Sequence, residues 1–291
     1  MKAPPFRYHA PDDLPSAVAL LAQYENARVL AGGQSLMPMM NLRVAGPDHL
    51  IDLGRIADLR GIEETPQGLR IGAMVTQRTL EKSDLVARAC PLLSEAVTHV
   101  GHQQTRNRGT LGGSLCHLDP GAELPVAAAA LDAVMHVVGP EGARDIAFAD
   151  FPLDYLTPSL RPGEVLAHVT FPRAGRGSGA AFLEFNRRPA DFAIVSVAVT
   201  LTLGADGVIT QAAIAVGGVS HAPMRLAQVE TSLIGARADA ATFAGAADLA
   251  ATAPCEGDEV YPADYRQELC GVLVRRALVI AAERAGGVAH V

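Results

Sequence analysis

Two stretches of this 291-residue chain join a glycine pair to hydroxyl residues. Residues 28–40 read RVLAGGQSLMPMM and residues 107–125 read NRGTLGGSLCHLDPGAELP. In each, an apolar or β-prone segment runs into Gly-Gly (Gly32-Gly33, then Gly112-Gly113) and a serine follows, Ser35 or Ser114. A glycine pair lets the backbone approach a ligand closely, because no Cβ stands in the way. Successive amides in such a turn, or at the start of a following helix, stabilise an anion. One such loop suits one phosphate; two from separate parts of a fold suit a pyrophosphate. Dinucleotide binding is the chemistry this suggests, with Ser35 and Thr110 able to donate hydroxyls to phosphate oxygens. Asp119, before Pro120, could accept from a ribose hydroxyl or could simply close a turn. The sequence contains neither G-x-G-x-x-G nor G-x-x-x-x-G-K-[ST], so no Rossmann site and no nucleotide-hydrolysing phosphate loop is supported. A third pair, Gly217-Gly218 in AVGGVSHAPMRL, is a reminder that Gly-Gly is equally a plain turn.

Other reactive residues are less organised. His99, His102 and His117 flank the second pair, but VTHVGHQQTRNRG holds no metal-ligand set, which leaves capping or surface roles. Arg106 and Arg108 could steady a bound anion or face solvent. Cys90, Cys116, Cys255 and Cys270 are scattered with no C-x-x-C, against zinc ribbons and iron–sulfur clusters in this chain. Aromatic residues make up 4%, Trp is absent and the net charge is −7, all unfavourable for nucleic acid. The N-terminus lacks an apolar signal core, and stretches such as LPVAAAALDAVMHVVG are too short or are broken by Asp132. The expectation is a cytoplasmic protein without a membrane span.

The elements that must position the glycine pairs can be read from periodicity. DDLPSAVALLAQYEN starts with helix-initiating residues and repeats Val18, Leu21 and Ala22 at helical spacing. ARVL reads as a buried strand ending in glycine, HLIDLGRI (49–56) as a second, and GLRIGAMV as a third that opens a helix at VTQRTLEKS. PLLSEAVTHVG (91–101) and ELPVAAAALDA read as helices, VMHVVG and EVLAHVTF as strands, and 148–164 as a Pro- and Gly-rich surface loop. RAGRGSGAA (173–181) is the best boundary. After it, AIVSVAVTLTL and ITQAAIAVGGV flank the turn GADG as a hairpin, and three helices follow. VRRALVIAAERAG, the end of the last helix, reads as a solvated or subunit-facing surface.

With these segments in hand the chain is recognisable. AGGQSLMPMMNLR, RGTLGGSLCHLDPGAELP and RRPADFAIVSVAV, with GGVSHAPMRL and YRQELCGVLVRRAL, resemble the FAD-binding medium subunit of molybdenum hydroxylases, the carbon monoxide dehydrogenase / xanthine dehydrogenase family. The resemblance implies an α+β fold: a two-sub-domain FAD-binding unit of the vanillyl-alcohol-oxidase (PCMH) type over 1–175, divided near residue 57, and a C-terminal domain of small antiparallel sheet and helices over 178–288. It places the FAD pyrophosphate between Ala31, Gly32, Gly33, Gln34, Ser35 and Leu36 on one side and Thr110, Gly112, Gly113 and Ser114 on the other. It puts Asp119 near the adenosine ribose, Arg28 near the adenine end and Phe192 beside the flavin ring. The family often has Tyr at the Phe192 position, so a hydroxyl is missing there; from residue type alone Phe192 reads as a core side chain. The resemblance further implies an electron-transfer subunit that takes electrons from an iron–sulfur small subunit, beside a molybdopterin large subunit, in a dimer of heterotrimers. The alternatives are a self-contained flavin oxidoreductase of the same superfamily and a flavin-free structural subunit.

Overall fold

The computed structural model describes residues 2–286, so residues 287 and 288 of the expected C-terminal domain lie outside the described residues. The chain opens with strand β1 (Arg7–His9), helix α1 (Leu14–Gln23), β2 (Ala27–Leu30), the short helix α2 (Leu36–Asn41) and β3 (His49–Asp52). Asp13 caps α1 by accepting from Ser16 N at 2.7 Å, and a proline follows in its first turn. The helix buries Ala17 and Val18, while Ala22, expected on the same stripe, is exposed. β1 and β2 both pair with β3 in parallel, as crossover helices require. β2 is only half-buried along its length, because one side faces a cleft instead of core.

A second layer is built on β4 (Ile62–Thr65) and β5 (Gly68–Gly72). Helices follow: α3 (Gln77–Lys82), α4 (Asp84–Ala89), α5 (Pro91–His99), α6 (Gln103–Arg108), α7 (Leu111–His117) and α8 (Glu123–Ala130). Then come β6 (Val134–Gly139), β7 (Gly142–Ala147), the small hairpin β8 (Pro152–Asp154) and β9 (Thr157–Pro158), and β10 (Val165–Phe171). The five longer strands form one antiparallel sheet in the order β4-β5-β10-β6-β7. Residues 148–164 are more than the surface loop their composition suggests. Phe148 and Phe151 are buried, and the segment from Leu156 to Glu164 returns as a wall of the cleft.

The remainder forms β11 (Ser178–Phe185), β12 (Val195–Leu203), β13 (Ile209–Gly217), β14 (Met224–Arg225), then α9 (Ala227–Leu233), α10 (Ala240–Ala250) and α11 (Ala263–Arg284). β11 escapes the sequence reading because its first residues, Ser178 and Gly179, look like linker. Gly179 is required there, since a Cβ would meet Ala281 O of α11 at 1.9 Å. The last part of α11, read as a solvated or subunit-facing surface, is exposed only on the side carrying Arg275 and Arg276. Leu273, Val274, Ala277, Leu278, Ala281 and Ala282 are buried against β11 and β12.

Helix α8 is buried throughout, and its small residues explain how: Ala127 to Ala130 let the backbone lie close to both neighbours. It packs on α5 on one side and on β12 and β13 on the other, so the main core runs continuously into the C-terminal sheet. The third glycine pair serves this joint. A Cβ on Gly217 would collide with Val126 of α8, and Gly218 (φ +76) donates to Pro120 O at 2.8 Å.

Candidate flavin-binding cleft

A cavity of about 910 Å³ runs between the N-terminal parallel sheet and the helical layer, at the top of the size range for small-molecule sites. Every one of Arg28, Ala31, Gly32, Gly33, Gln34, Ser35, Leu36, Thr110, Gly112, Gly113, Ser114, Asp119 and Phe192 lines it. Three segments far apart in sequence thus converge on one space.

The two glycine pairs touch, but they are built differently. The first is a turn: Gly33 has φ +72, Met37 N donates to Gly33 O at 3.2 Å, and Gln34 Nε2 donates to Gly32 O at 3.2 Å. Among the described residues, the amides of Gly33, Gln34 and Ser35 have no acceptor in the protein, so they remain for a ligand. The second pair is not a strand running into a turn. It lies in the first turn of α7, and its amides are already taken. Leu111 N donates to Val75 O, Gly112 N to Ala73 O, Gly113 N to the capping hydroxyl of Thr110 at 3.0 Å, and Ser114 N to Thr110 O. Here glycine serves close packing: a Cβ on Gly112 would meet that of Ala73 at 2.6 Å. What this side offers an anion is hydroxyls and a backbone without bulk. The loops meet where a Cβ on Gly32 would strike Arg108 O at 2.1 Å and one on Gly113 would lie 3.5 Å from Ala31 Cβ.

Phe192 is 63% exposed and faces the cleft, so it is no core residue. A Cβ on Gly121 would come within 3.1 Å of Phe192 Cβ, and Asp119 Oδ1 accepts from Gly121 N at 3.0 Å. Asp119 and Phe192 therefore mark the same end of the cavity, with Arg28 on the N-terminal sheet. Arg106 does not reach the cleft. Its guanidinium donates to Glu81 and to the carbonyls of Val100 and Gly101, and that hydrogen bond holds the Glu81 carboxyl below its usual range. Arg108 borders a smaller cavity of about 310 Å³ behind the first glycine turn. His117 lines the main cleft, His102 precedes α6, and His99 Nδ1 stands 3.3 Å from Glu184 Oε1.

Sequence reasoning missed Glu123 and Gln77. Both are almost fully buried and both line the cavity. Burial pushes the Glu123 carboxyl up to about 8, with the negative charges of Glu184 and Asp119 adding to the effect and Arg106 opposing it. A neutral acid here adds no repulsion to a dianionic pyrophosphate. The signal was a lone charge, Glu123, at the head of an otherwise apolar helix.

A cleft with three free amides, the hydroxyl or amide side chains of Gln34, Ser35, Thr110 and Ser114, and the glycines of both pairs fits a dinucleotide without net positive charge. Comparison with known proteins decides which one. Residues 4–174 match the model of the FAD binding domain in molybdopterin dehydrogenase, and residues 180–281 that of the CO dehydrogenase flavoprotein C-terminal domain. The chain belongs to this family of FAD-binding subunits. It is 37% identical to the 6-hydroxypseudooxynicotine dehydrogenase complex subunit alpha of Paenarthrobacter nicotinovorans, over 98% of this chain and 97% of that one. It is 38% identical to the carbon monoxide dehydrogenase medium chain of Afipia carboxidovorans, over 96% and 98%. Its fold superposes on a chain of CO dehydrogenase from Oligotropha carboxidovorans with a TM-score of 0.94 at 36% identity, covering 98% of this chain and all of that one. The α+β architecture, the FAD cofactor and the place among oxidoreductase subunits of multi-subunit molybdenum hydroxylases follow from this membership. Among the described residues no helix is long and apolar enough to cross a membrane, and no group of side chains could hold a metal ion.

Proposed function

We propose that this flavoprotein subunit holds FAD with its pyrophosphate between the Ala31–Leu36 turn and the start of α7, its adenine end toward Arg28 and its ring toward Phe192. The observation that carries this is the convergence of three separate segments on one cleft. The free amides of Gly33, Gln34 and Ser35 face one phosphate, and the hydroxyls of Thr110 and Ser114 the other. Asp119, whose Oδ1 accepts from Gly121 N beside the Phe192 segment, is the proposed acceptor for an adenosine ribose hydroxyl. Phe192 offers the ring a flat apolar face and no hydrogen bond.

Bound FAD joins one-electron donors to two-electron acceptors. Among the described residues no group of side chains could hold a metal centre, and in this reading the electrons come from an iron–sulfur small subunit, beside a molybdopterin large subunit where substrate is hydroxylated. The assembly is a dimer of heterotrimers in the cytoplasm. Titrating the purified chain with FAD should give one saturable site by flavin fluorescence, weakened about tenfold or more by Gly113→Val, since each tenfold is about 1.4 kcal/mol. No binding, with or without the partner subunits, would leave a scaffold. Bleaching of the flavin by an organic substrate of this chain alone would make it a self-contained oxidoreductase instead.

A further inference from the structure

Outside the cleft, two thiols meet where the chain doubles back on α11. Residues 251–257 run alongside the first part of that helix in the opposite direction, and three contacts fix their path. A Cβ on Gly271 would lie 3.1 Å from Ala251 Cβ, Gln267 Nε2 donates to Ala253 O at 2.9 Å, and a Cβ on Gly257 would collide with Ala263 N. Cys255 lies within this run, half-buried between exposed Pro254 and Glu256. Cys270, one turn of α11 beyond Gln267, is fully buried in the apolar cluster against which Cys255 packs. The Cys270 thiol donates a hydrogen bond to Cys255 Sγ, and neither sulfur is in a disulfide. The same run is bonded to the Phe192 end of the cleft. Glu256 N donates to Val219 O at 2.6 Å, and Arg266 donates to Gly218 O, to Ile194 O at 2.9 Å and to Asp258. Ile194 is two residues beyond Phe192. On the other side of Phe192, Arg187 Nε donates to Tyr261 Oη at 3.2 Å.

We propose that Cys255 and Cys270 are a peroxide-reactive dithiol, and that closing it into a disulfide shifts the segment that carries Phe192. Cys255 Sγ, as thiolate, attacks one oxygen of hydrogen peroxide. The O–O bond breaks, Cys255 becomes a sulfenic acid, and the hydroxide released takes up the proton the thiol had lost. Cys270 Sγ then attacks Cys255 Sγ. An S–S bond forms, the S–O bond breaks, and the Cys270 proton leaves with the hydroxyl as a second water. Two thiols are oxidised and one peroxide is reduced to two waters. Attack falls to Cys255 because it is the more accessible sulfur and the one more readily a thiolate. The hydrogen bond from Cys270 holds its thiol below the ordinary value, with burial opposing and the positive charge of Arg266 assisting. The same hydrogen bond, then burial, pushes Cys270 up, which suits the second, resolving thiol. Closing the sulfurs from hydrogen-bond contact to a bond of about 2.05 Å draws the turn around Cys255 onto α11. Its anchors on Val219, Gly218 and Ile194 must take up that movement.

The test uses the full chain without FAD, so its outcome is independent of the cofactor reading. Titration with hydrogen peroxide should remove two of the four thiols. Peptide mass mapping without reductant should find Cys255 joined to Cys270, and dithiothreitol should restore both. Cys270→Ser should stop at a sulfenic acid that dimedone traps on Cys255, and Cys255→Ser should leave Cys270 reduced. Cys90 and Cys116, pushed up to about 12 by burial, should react at least about tenfold more slowly. The chain has no Trp, so Phe192→Trp introduces a single reporter at the cleft. Its emission should change on oxidation and return on reduction, and adding Cys255→Ser should abolish the change. Thiol loss without the Cys255–Cys270 bridge, or first at Cys90 or Cys116, would overturn the dithiol. A bridge that forms with Trp emission unchanged would overturn its coupling to the Phe192 segment.

Discussion

Gly32 and Gly33 are neighbours with different reasons for being glycine, and substitution separates them. At Gly33 the backbone has φ +72, and a Cβ there would near the side chains of Met37 and Leu30 and no backbone atom of another segment. Gly33→Ala should cost about 1–2 kcal/mol of stability, the ordinary penalty for a left-handed residue. At Gly32 a Cβ meets Arg108 O and Gly109 Cα, both backbone atoms, so Gly32→Ala must push the two loops apart. It should weaken FAD binding more than Gly33→Ala does, as isothermal titration of both variants would show; equal losses would mean the loop contact does not set the cleft's width. Glu123 makes a prediction in pH. Its folded carboxyl is raised to about 8 from an ordinary value near 4.5. The stability it gives is therefore fully present below about 4.5 and is lost as pH rises through about 8, at up to about 1.4 kcal/mol per pH unit. Melting temperatures of the chain without FAD should fall between about pH 5 and 8 and level off above that, and Glu123→Gln should flatten that decline. An unchanged slope would place the titrating group elsewhere. The glycine pairs were legible as a candidate site because two such stretches, each followed by a hydroxyl residue, recur in one chain. Glu123 was not: only three-dimensional burial turns an unremarkable helix-leading acid into a neutral one.

Helix α7 shows how an element can present a motif without using it as the sequence suggests. Its amides bond to residues 73–75 and to Thr110, and the Thr76–Thr110 bridge fixes its start against the entry to α3. Thr110 is thus both the N-cap of α7 and a residue of the cleft wall. Thr110→Val keeps the shape and removes the cap, at a cost of about 1 kcal/mol. Thr110→Ser should recover both stability and FAD affinity, measured by chemical denaturation and fluorescence titration. Recovery of stability without affinity would mean that the threonine methyl, not the hydroxyl, shapes the site. Periodic helices such as α1, α5, α10 and α11 were legible because one face is apolar at the helical period. β11 was not, since its Ser-Gly start answers to the close approach of α11, and no local pattern encodes that. Residues 156–164 were hidden for a similar reason: Pro and Gly mark an irregular path, but only the fold shows that the path lines a cleft.

At the scale of the whole molecule, the cleft depends on the C-terminal sheet as well as on the two layers that enclose it, because Phe192 reaches the cavity from the segment between β11 and β12. Two guanidinium groups tie this sheet to the rest. Arg284 donates to Glu95 and to Ala180 O, and Arg225 spans Ala129 O at 3.0 Å, Asp132 at 2.6 Å and Glu230 at 2.6 Å. Glu230 in turn accepts from Ile214 N at 2.8 Å, so Arg225 links the end of α8 to β13 and α9 through one residue. Removing its hydrogen bonds to charged partners should cost about 2 kcal/mol, concentrated at this joint. Calorimetry of the wild type should show one transition, raised by FAD; at a hundredfold excess over the dissociation constant the gain is about 2.7 kcal/mol. In Arg225→Ala the transition should split, and FAD should raise the part that carries the glycine segments more than the part that carries the C-terminal sheet. A single transition in the variant, raised by FAD as in the wild type, would mean that the apolar contact of α8 with β12 and β13 couples the layers without the guanidinium. The ring end of the cleft would then be held by packing alone.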